Sequence, residues 1–410
     1  MKRFIRTFIV IIASIAMCSC GEDRSSEFNE LTKENQWIYN KMKEVYLWAD
    51  SIKDIKQQTY FSEPSKFFSG LLYPSDKISF FADSVNKTTY GFDFSLMRDP
   101  LGIEPTKVYA LVEYVEPASP AADAGLKRGM WISAIDTTEV NMGANSALTS
   151  GPAITLGIKT ITYDDDNEQY IWEEYPIICL PAATEIKKSP LPIVNTINDI
   201  SGKTGYIMCN NFDDEQSVAD IHNALTKFSD EGVSNIVFDL RYNNSYSITN
   251  AAALAAVFAP SDKCNSVFCS LYKDATLTTK QDILLPQAAI NVSDKQLYII
   301  TTEKTTGTAN ALIKALYNTR ETSTFKVVGK MATGSEFATE NFESPYWFKI
   351  TPATAIIADA NGELLSPTAP NYKLEEIGDY KHIYPFGNKQ EHMLYNISYI
   401  IANGTLPADL

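Results

Sequence analysis

A cysteine near the N-terminus is the residue whose surroundings most clearly indicate a chemical reaction. Three positive charges precede an apolar stretch over residues 7–17, which is about half of the roughly 20 apolar residues needed to span a bilayer. The stretch ends in Met17-Cys18-Ser19-Cys20-Gly21. Small residues before a cysteine suit cleavage ahead of Cys20 and acylation of its thiol. We predict a lipoprotein signal peptide over residues 1–19; a secretory signal that merely contains cysteines is the alternative.

A lipid on Cys20 would define where the chain is found. Several acyl chains hold a protein on a membrane, and no other stretch of the sequence is apolar and long enough to cross one. Glu22 and Asp23 are similar to signals that send lipoproteins to the outer surface in some Gram-negative lineages. We therefore expect the chain in the cell envelope, at the outer membrane of a Gram-negative bacterium, attached by the lipid anchor only.

The negative net charge limits which classes of molecule the chain is expected to bind. The chain has 410 residues and a formal net charge of -15, and cleavage before Cys20 would remove three more positive charges. Such a surface repels nucleic acid, so peptides, proteins or neutral molecules are the expected partners. Hydrophobic residues make up 45% of the chain, which is ample for packed cores in two or three domains.

The metal-ligating residue types are sparse. The three histidines are His222, His382 and His392, and no two of them have ligand spacing. The cysteines of the mature chain beyond Cys20 contain no Cys-x-x-Cys pair, so there is no zinc signature. We expect neither a metal site nor a cofactor. Cys264 and Cys269 allow either a small-loop disulfide or two free thiols.

The pattern of apolar residues divides the chain into successive regions. Residues 20–31 are polar and resemble a flexible tether, after which Thr32 has the position of a helix cap and apolar residues recur at helical spacing. We predict a small helical cap over residues 32–82 and a strand-rich module over residues 83–184. From residue 185 to residue 410, buried strands alternate with helices, which predicts an α/β domain with a covered, largely parallel sheet.

Two stretches resemble a known family. Ser119-Pro120-Ala121-Ala122 through Gly125-Leu126-Lys127-Arg128-Gly129 looks like the PDZ-like module of the tail-specific, or C-terminal-processing, serine peptidases. Asp239-Leu240-Arg241-Tyr242-Asn243 looks like the start of their core signature. The resemblance covers nearly the whole mature chain. It implies a crotonase-like α/β core with a PDZ-like β-rich module and a small N-terminal helical cap.

The resemblance also implies a partner. In PDZ-like modules, a glycine-containing loop before a strand captures a C-terminal carboxylate with backbone N–H groups, and the peptide then adds as a strand. Tyr90-Gly91-Phe92-Asp93-Phe94 occupies that place here. Peptide or protein C-terminal tails are the implied ligands; the alternative is that this segment is only a packed strand edge.

The family's catalytic residues are replaced. The family uses a serine nucleophile, a lysine base and backbone N–H groups of a glycine run. The matching positions hold Thr308 for the serine and Ser335 for the lysine, and Asn244 and Ser245 replace the glycines of the oxyanion hole. Three parts of the machinery are thus altered together, and we expect catalysis to be impaired. Rescue would need Lys330 or Lys304 to reach Thr308 from another position.

Three functions fit these observations. The first is a non-catalytic relative, or pseudoenzyme, that binds peptides or protein tails at the cell envelope. The second is an active peptidase with Thr308 as nucleophile and a displaced lysine as base. The third is a lipoprotein that binds a glycan or another small ligand in the old cleft, where some of the 22 tyrosines would provide stacking surfaces.

Overall fold

The computed structural model of the chain describes residues 25–83, 88–199, 202–334 and 336–408. Two predicted functional positions, Cys20 and Ser335, lie outside these ranges. The chain divides into two units. Unit 1 is formed by the described residues up to 83 together with residues 271–281 and 337–356, and unit 2 by the remaining described residues.

Helices are found in both units. In the described ranges, the α-helices are α1 (Ser25–Val45), α2 (Pro64–Leu71), α3 (Pro120–Asp123), α4 (Asn145–Thr149), α5 (Glu215–Asp230), α6 (Ile248–Phe258), α7 (Thr308–Thr319) and α8 (His392–Asn403). Short 3-10 helices span Ala49–Ser51, Gln57–Phe61 and Ser261–Lys263. None of the helices described is long and apolar enough to cross a bilayer.

In the described part of the chain, the strands form four sheets. They are β1 (Phe80–Asp83), β2 (Phe92–Arg98), β3 (Val108–Val115), β4 (Trp131–Ile135), β5 (Thr138–Glu139), β6 (Ile154–Asp164), β7 (Gln169–Leu180), β8 (Ile193–Asp199), β9 (Gly202–Met208), β10 (Asn235–Asp239), β11 (Val267–Tyr272), β12 (Lys280–Leu284), β13 (Gln296–Thr301), β14 (Phe325–Gly329), β15 (Phe337–Thr339), β16 (Phe342–Glu343), β17 (Phe348–Thr351), β18 (Ala353–Asp359) and β19 (Tyr372–Lys373). The sheet orders are β1-β17-β16, β12-β11-β18-β15, β2-β3-β4-β6-β7 and β19-β14-β13-β10-β9-β8.

In unit 1, the first helix begins earlier than its sequence indicates. Helix α1 starts by Ser25, so the prediction of a flexible tether up to residue 31 and a cap at Thr32 is wrong. The Thr32 hydroxyl instead donates to the carbonyl of Phe28, one turn earlier, at 2.6 Å. The Phe28 ring packs edge-on against Tyr60 and Phe61. These aromatic contacts give the first turns of α1 a buried partner, which is what a helix needs for stability in water.

Unit 1 also contains later parts of the chain. Strand β1 pairs antiparallel with β17, with Phe80 opposite Thr351 and Phe81 opposite Ile350. Residues 271–281 and 337–356, which the sequence placed in the α/β domain, therefore belong to the same unit as the predicted helical cap. Phe348 is buried in the core of this unit between Trp37 and Phe81.

In unit 2, residues 88–184 form a strand-rich module. Its sheet has β2 as one outer strand and β7 as the other. The Ser119 side chain caps the short helix α3 by accepting the N–H of Ala122. Gly125 and Gly129 then adopt positive φ angles of 86° and 87°, which allow the tight turns that lead into β4.

The rest of unit 2 is an α/β domain. Strands β9, β10, β13, β14 and β19 are parallel, and β8 pairs antiparallel with β9 at one edge. Tyr206 and Met208 on β9 pack in one cluster with Met393 of α8. Gly205 faces the opposite side of the sheet, against the ring of Phe228 on α5. The prediction of a covered, largely parallel sheet is confirmed.

The contact of Gly205 with Phe228 generates a stability prediction. A Cβ atom at residue 205 would lie 2.3 Å from the Phe228 ring, whereas a Cβ at Gly70, in the last turn of α2, would meet nothing within 4 Å. We expect Gly205→Ala to lower the free energy of unfolding by about 1–3 kcal/mol, because the core must shift. Gly70→Ala is the matched control and should leave stability unchanged or raise it by up to about 1 kcal/mol. Urea denaturation measures both, and equal effects would contradict the packing described.

Candidate active site

Thr308, the residue at the predicted nucleophile position, begins α7 and is held by one backbone carbonyl. The preceding Gly307 has a φ of 62°, and a Cβ there would lie 2.0 Å from the carbonyl oxygen of Ser245. Only glycine fits this approach. The N–H and the Oγ1 hydroxyl of Thr308 both donate to that same Ser245 oxygen, at 2.9 and 3.1 Å. The Thr308 side chain is 2% exposed, so its proton is directed into the protein.

The loop at the predicted oxyanion positions has its backbone N–H groups paired internally. The N–H of Ser245 donates to Asn243 Oδ1 at 3.1 Å, and that of Asn244 to the Asn210 carbonyl at 3.4 Å. Stabilising a developing oxyanion requires N–H groups that point at the reacting oxygen. Those of Asn244 and Ser245 already have acceptors.

Asp213 extends this pairing along the loop. Its Oδ1 accepts the N–H groups of Tyr246 and Ser247, at 2.6 and 2.7 Å. The four consecutive N–H groups from Asn244 to Ser247 therefore all donate to acceptors within the chain. The acceptor side chain comes from the loop between β9 and α5, which the sequence did not identify as part of the site.

Lys330, the first lysine considered as a displaced base, lies between two carboxylates. It follows β14, and its Nζ is 2.8 Å from Glu303 and 2.7 Å from Glu375. Hydrogen bonds to these carboxylates raise the pKa of Lys330 above its usual value. A lysine must be neutral to accept a proton from a hydroxyl, and this environment favours the charged form instead.

Lys304, the second lysine considered, points to a different carboxylate. Its Nζ is 3.0 Å from Glu113 and lies over the ring of Tyr242. The hydroxyl of Thr308 bonds to the Ser245 carbonyl rather than to either lysine. The structure therefore does not bring together the nucleophile and base on which the rescue hypothesis depends.

The turn that leads to residue 335 packs on the first turn of α7. Gly334 lies so close to Asn310 that an added Cβ would be 2.2 Å from the Asn310 Cβ. Asn310 is fully buried and donates from Nδ2 to the Ser366 carbonyl at 2.9 Å. These contacts place the turn beside the start of α7, and Ser335 itself lies outside the described residues.

A buried arginine organises the end of β10 beneath this site. The Arg241 side chain is 0% exposed. It bonds to the Asp239 carboxylate through Nε and Nη2 and to Glu391 through Nη1, at 2.8–3.0 Å. Tyr206 donates to the same Asp239 carboxylate at 2.7 Å. The Glu391 carboxylate in turn caps α8 by accepting the N–H groups of residues 393 and 394.

Arg128 joins the PDZ-like turn to this cluster. Its guanidinium is 3.2 Å from Glu376 and lies 4.0 Å from the centre of the Phe386 ring, which Arg241 also contacts. Burial would raise the pKa of the Glu376 carboxyl, but Arg241 and Arg128 outweigh burial and hold that pKa below its usual range. Neither Arg128 nor Glu376 was predicted as a functional residue. The one sequence signal was for Arg128, which lies in the turn motif of the PDZ-like module.

The predicted carboxylate-binding segment lies at the start of β2. The N–H of Tyr90 donates to the Thr149 carbonyl, and that of Gly91 to Thr89 Oγ1, both at 3.1 Å. These two N–H groups are not free to bind a ligand. Phe92, Asp93 and Phe94 belong to β2 itself, whose only partner strand is β3 in the described part of the sheet.

The other reactive groups of the described ranges are dispersed. Cys179, Cys209, Cys264 and Cys269 are free thiols, so the two-thiol alternative holds for the pair at 264 and 269. The described residues contain no group of three or more histidine, cysteine or acidic side chains that could hold a metal ion.

Comparison with known proteins identifies the family. Residues 33–95 match the model of the peptidase S41 N-terminal domain, and residues 203–372 match that of peptidase family S41. The chain belongs to peptidase family S41. A crystal structure from Bacteroides fragilis, assigned to the S41 proteases, is 25% identical with a TM-score of 0.77, and the match covers 90% of this chain and 97% of that one. No curated protein matches the sequence.

Two other S41 structures are more distant. Mature CPAF is 10% identical, with a TM-score of 0.50 over 93% of this chain and 100% of that chain. The photosystem II D1 C-terminal processing protease is 14% identical, with a TM-score of 0.49 over 84% of this chain and 93% of that chain. The predicted fold class of the S41 chain is confirmed: a crotonase-like α/β core with a PDZ-like β-rich module and a small helical cap.

The Glu376 environment predicts how stability depends on pH. A carboxyl whose pKa is depressed by folding stabilises the protein above its unfolded pKa, about 4.3, and this contribution is lost as the pH falls. We expect Glu376→Gln to lower the free energy of unfolding by about 1–3 kcal/mol at pH 7, with the difference from wild type shrinking as the pH drops toward 3. Thermal unfolding across this range measures it.

The neighbouring residue provides the control for this experiment. Glu375 is 68% exposed and pairs with Lys330, so Glu375→Gln should change stability by less than about 1 kcal/mol at any pH. A Glu376→Gln effect that stayed constant with pH would contradict the assignment of a depressed pKa.

Proposed function

We propose that this S41 chain is a non-catalytic member of its family that binds extended polypeptide, protein tails included, through its PDZ-like module. One observation carries the proposal: the Thr308 hydroxyl donates its proton to the Ser245 carbonyl rather than to either candidate lysine. A hydroxyl in that arrangement makes a structural hydrogen bond at the start of a helix.

Acyl transfer by a serine-type mechanism needs a base beside the nucleophile and free donors for the oxyanion, and both requirements are unfavourable here. The nucleophile must pass its proton to a base, yet both candidate lysines are bound to carboxylates. The oxyanion needs free N–H donors, yet those of residues 244–247 are occupied. Removing single parts of such units lowers rates by several orders of magnitude, and here three parts are altered.

The alternative of a Thr308-based peptidase would require Lys330 to be neutral near pH 7. Its two carboxylate partners shift its pKa in the opposite direction. Threonine can act as a nucleophile, but only with a base within hydrogen-bond reach or one water away. The contacts of Lys330 and Lys304 favour the binding function over this one.

The alternative is a glycan site in the cleft at the predicted catalytic positions, and it predicts aromatic rings near Thr308. The polar contacts of Thr308 and Asn310 are instead with the Ser245 and Ser366 carbonyls, and Gly334 packs on Asn310. Sugar rings bind aromatic faces, so nothing in these contacts favours a glycan over a peptide.

A lipid anchor on Cys20 forms the remaining part of the proposal. It rests on the charged and apolar segments before Cys20 and on the small Ser19 and Gly21 around it. The chain would then present its binding module from the outer membrane of a Gram-negative cell envelope, without nucleic acid as a partner.

The absence of catalysis can be tested directly. Purified mature chain should degrade a reduced, carboxymethylated polypeptide no faster than its Thr308→Ala variant, because no base activates that hydroxyl. Electrophoresis over hours measures the products, with a catalytically active S41 protease as the positive control. Cleavage by the wild type that Thr308→Ala abolishes would sink the proposal. The same unfolded polypeptide should bind saturably to both proteins.

The lipid anchor predicts a residue-specific modification. In cells fed an alkyne-tagged palmitate, wild type and Cys18→Ala should incorporate the label and sediment with membranes, because cleavage falls before Cys20. Cys20→Ala should lose both the label and the membrane association. Incorporation that persists in Cys20→Ala, or is lost in Cys18→Ala, would show that the acylated residue is a different one.

A further inference from the structure

The pairing of β2 with β3 fixes which backbone groups of β2 face outward. The Gly91 carbonyl accepts the N–H of Glu116 at 2.8 Å, so Gly91 points toward β3. Further along, Phe94 lies opposite Val112. The N–H of Val112 donates to the Met130 carbonyl, and its carbonyl accepts the N–H of Gly129, both on the side of β3 that faces away from β2.

Since antiparallel pairing alternates along a strand, every second residue of β2 turns its N–H and C=O away from β3. These residues are Phe92, Phe94 and Leu96, and no partner for their backbone groups occurs in the ranges that the structure describes. Their side chains pack against the core of the PDZ-like module. The outer edge of β2 is thus a row of open hydrogen-bonding groups, which an extended chain can join as a new strand.

The backbone N–H groups at the start of β2, where a terminal carboxylate would bind, are mostly occupied. Capture of a carboxylate needs several convergent N–H groups. Those of Tyr90 and Gly91 are already bonded to Thr149 and Thr89. In the predicted carboxylate-binding loop, the N–H of Phe92 remains open to a ligand.

The chain itself fills the space beside Gly91. An added Cβ on Gly91 would lie 2.6 Å from Cδ1 of Ile186. The segment that contains Ile186 is fixed on both sides: Thr184 pairs with Thr89 through two backbone hydrogen bonds, and the N–H of Ser189 donates to Glu116. The Gly91 Cα is therefore in close contact with side chains of the chain itself, and no residue larger than glycine fits at this position.

The charges around this end also disfavour an anion. Asp93 is exposed on β2, and the buried Glu116 lies behind it. Burial raises the pKa of the Glu116 carboxyl above its usual value, and the charge of Asp93 adds to this shift whereas Lys188 opposes it. The terminal carboxylate of a peptide would therefore approach two acidic side chains at a site with one open N–H group.

We infer that the β2 edge binds internal, extended segments of a polypeptide through their backbone and requires no free C-terminal carboxylate. This inference rests on the proposed function and specifies its ligand. Protein tails bind because they are extended, and disordered linkers within a protein bind as well.

Two peptide arrays with the same overlapping sequences test the inference. In one array the peptides are attached through their N-termini and present a free carboxylate; in the other they are attached through their C-termini and present none. Labelled mature chain should bind corresponding spots with signals within about twofold of each other. A preference of about tenfold or more for free carboxylates would overturn the inference and leave the proposed function standing. Binding to neither array would overturn both.

A matched pair of variants ties the binding to β2. Leu96→Pro removes an outward N–H that β3 does not use, whereas Leu96→Ala keeps it. Binding should be lost in the proline variant and retained in the alanine variant, with folding of both checked by circular dichroism.

Hydrogen exchange gives a readout that needs no variant. On addition of a peptide selected from the array, the amides of Phe92, Phe94 and Leu96 should become protected, while those of Asp93 and Ser95 should already be slow in the free protein. Protection that appears at the Tyr90–Gly91 loop without any change in β2 would contradict the inference.

Discussion

The compensation of one buried positive charge supports the whole of unit 2. Arg241 has no exposed surface, and an unpaired guanidinium at such a depth would be prohibitive in free energy. Asp239 and Glu391 neutralise it, and each of these carboxylates has a second task, since Asp239 accepts the Tyr206 hydroxyl and Glu391 caps α8. The end of β10 and the start of the last helix are therefore fixed by one set of hydrogen bonds.

The same cluster explains how the PDZ-like module is attached to the α/β domain. Arg128 adds a second guanidinium against the Phe386 ring and the Glu376 carboxylate. Two cations, three carboxylates and a shared aromatic ring form a network in which removing a carboxylate leaves a buried guanidinium with fewer partners. This network uses none of the residues at the predicted catalytic positions, so the module is held to the domain by other side chains.

Much of this architecture was predictable from the sequence, because local pattern decides it. The apolar runs of β9 and β10 and the helix that follows each of them define an α/β domain, and the same pattern predicted a helix beginning at Thr308. Pairings between distant segments were not predictable. Phe80 pairs with Thr351 across most of the chain, and the ring contacts of Phe28 outweighed a plausible cap at Thr32. The partners of Lys330 and the role of Asp213 also come from separate loops, so no spacing rule reveals them.

The position of Asp213 has a consequence for any attempt to engineer catalysis into this chain. Its carboxylate holds the N–H groups of Tyr246 and Ser247, and the Asn243 side chain holds that of Ser245. A serine placed at position 308 and a lysine placed at position 335 would leave those donors bound to their present acceptors. A designer would therefore have to change Asp213 and Asn243 as well, so the loop sets a minimum number of simultaneous substitutions for a working oxyanion site.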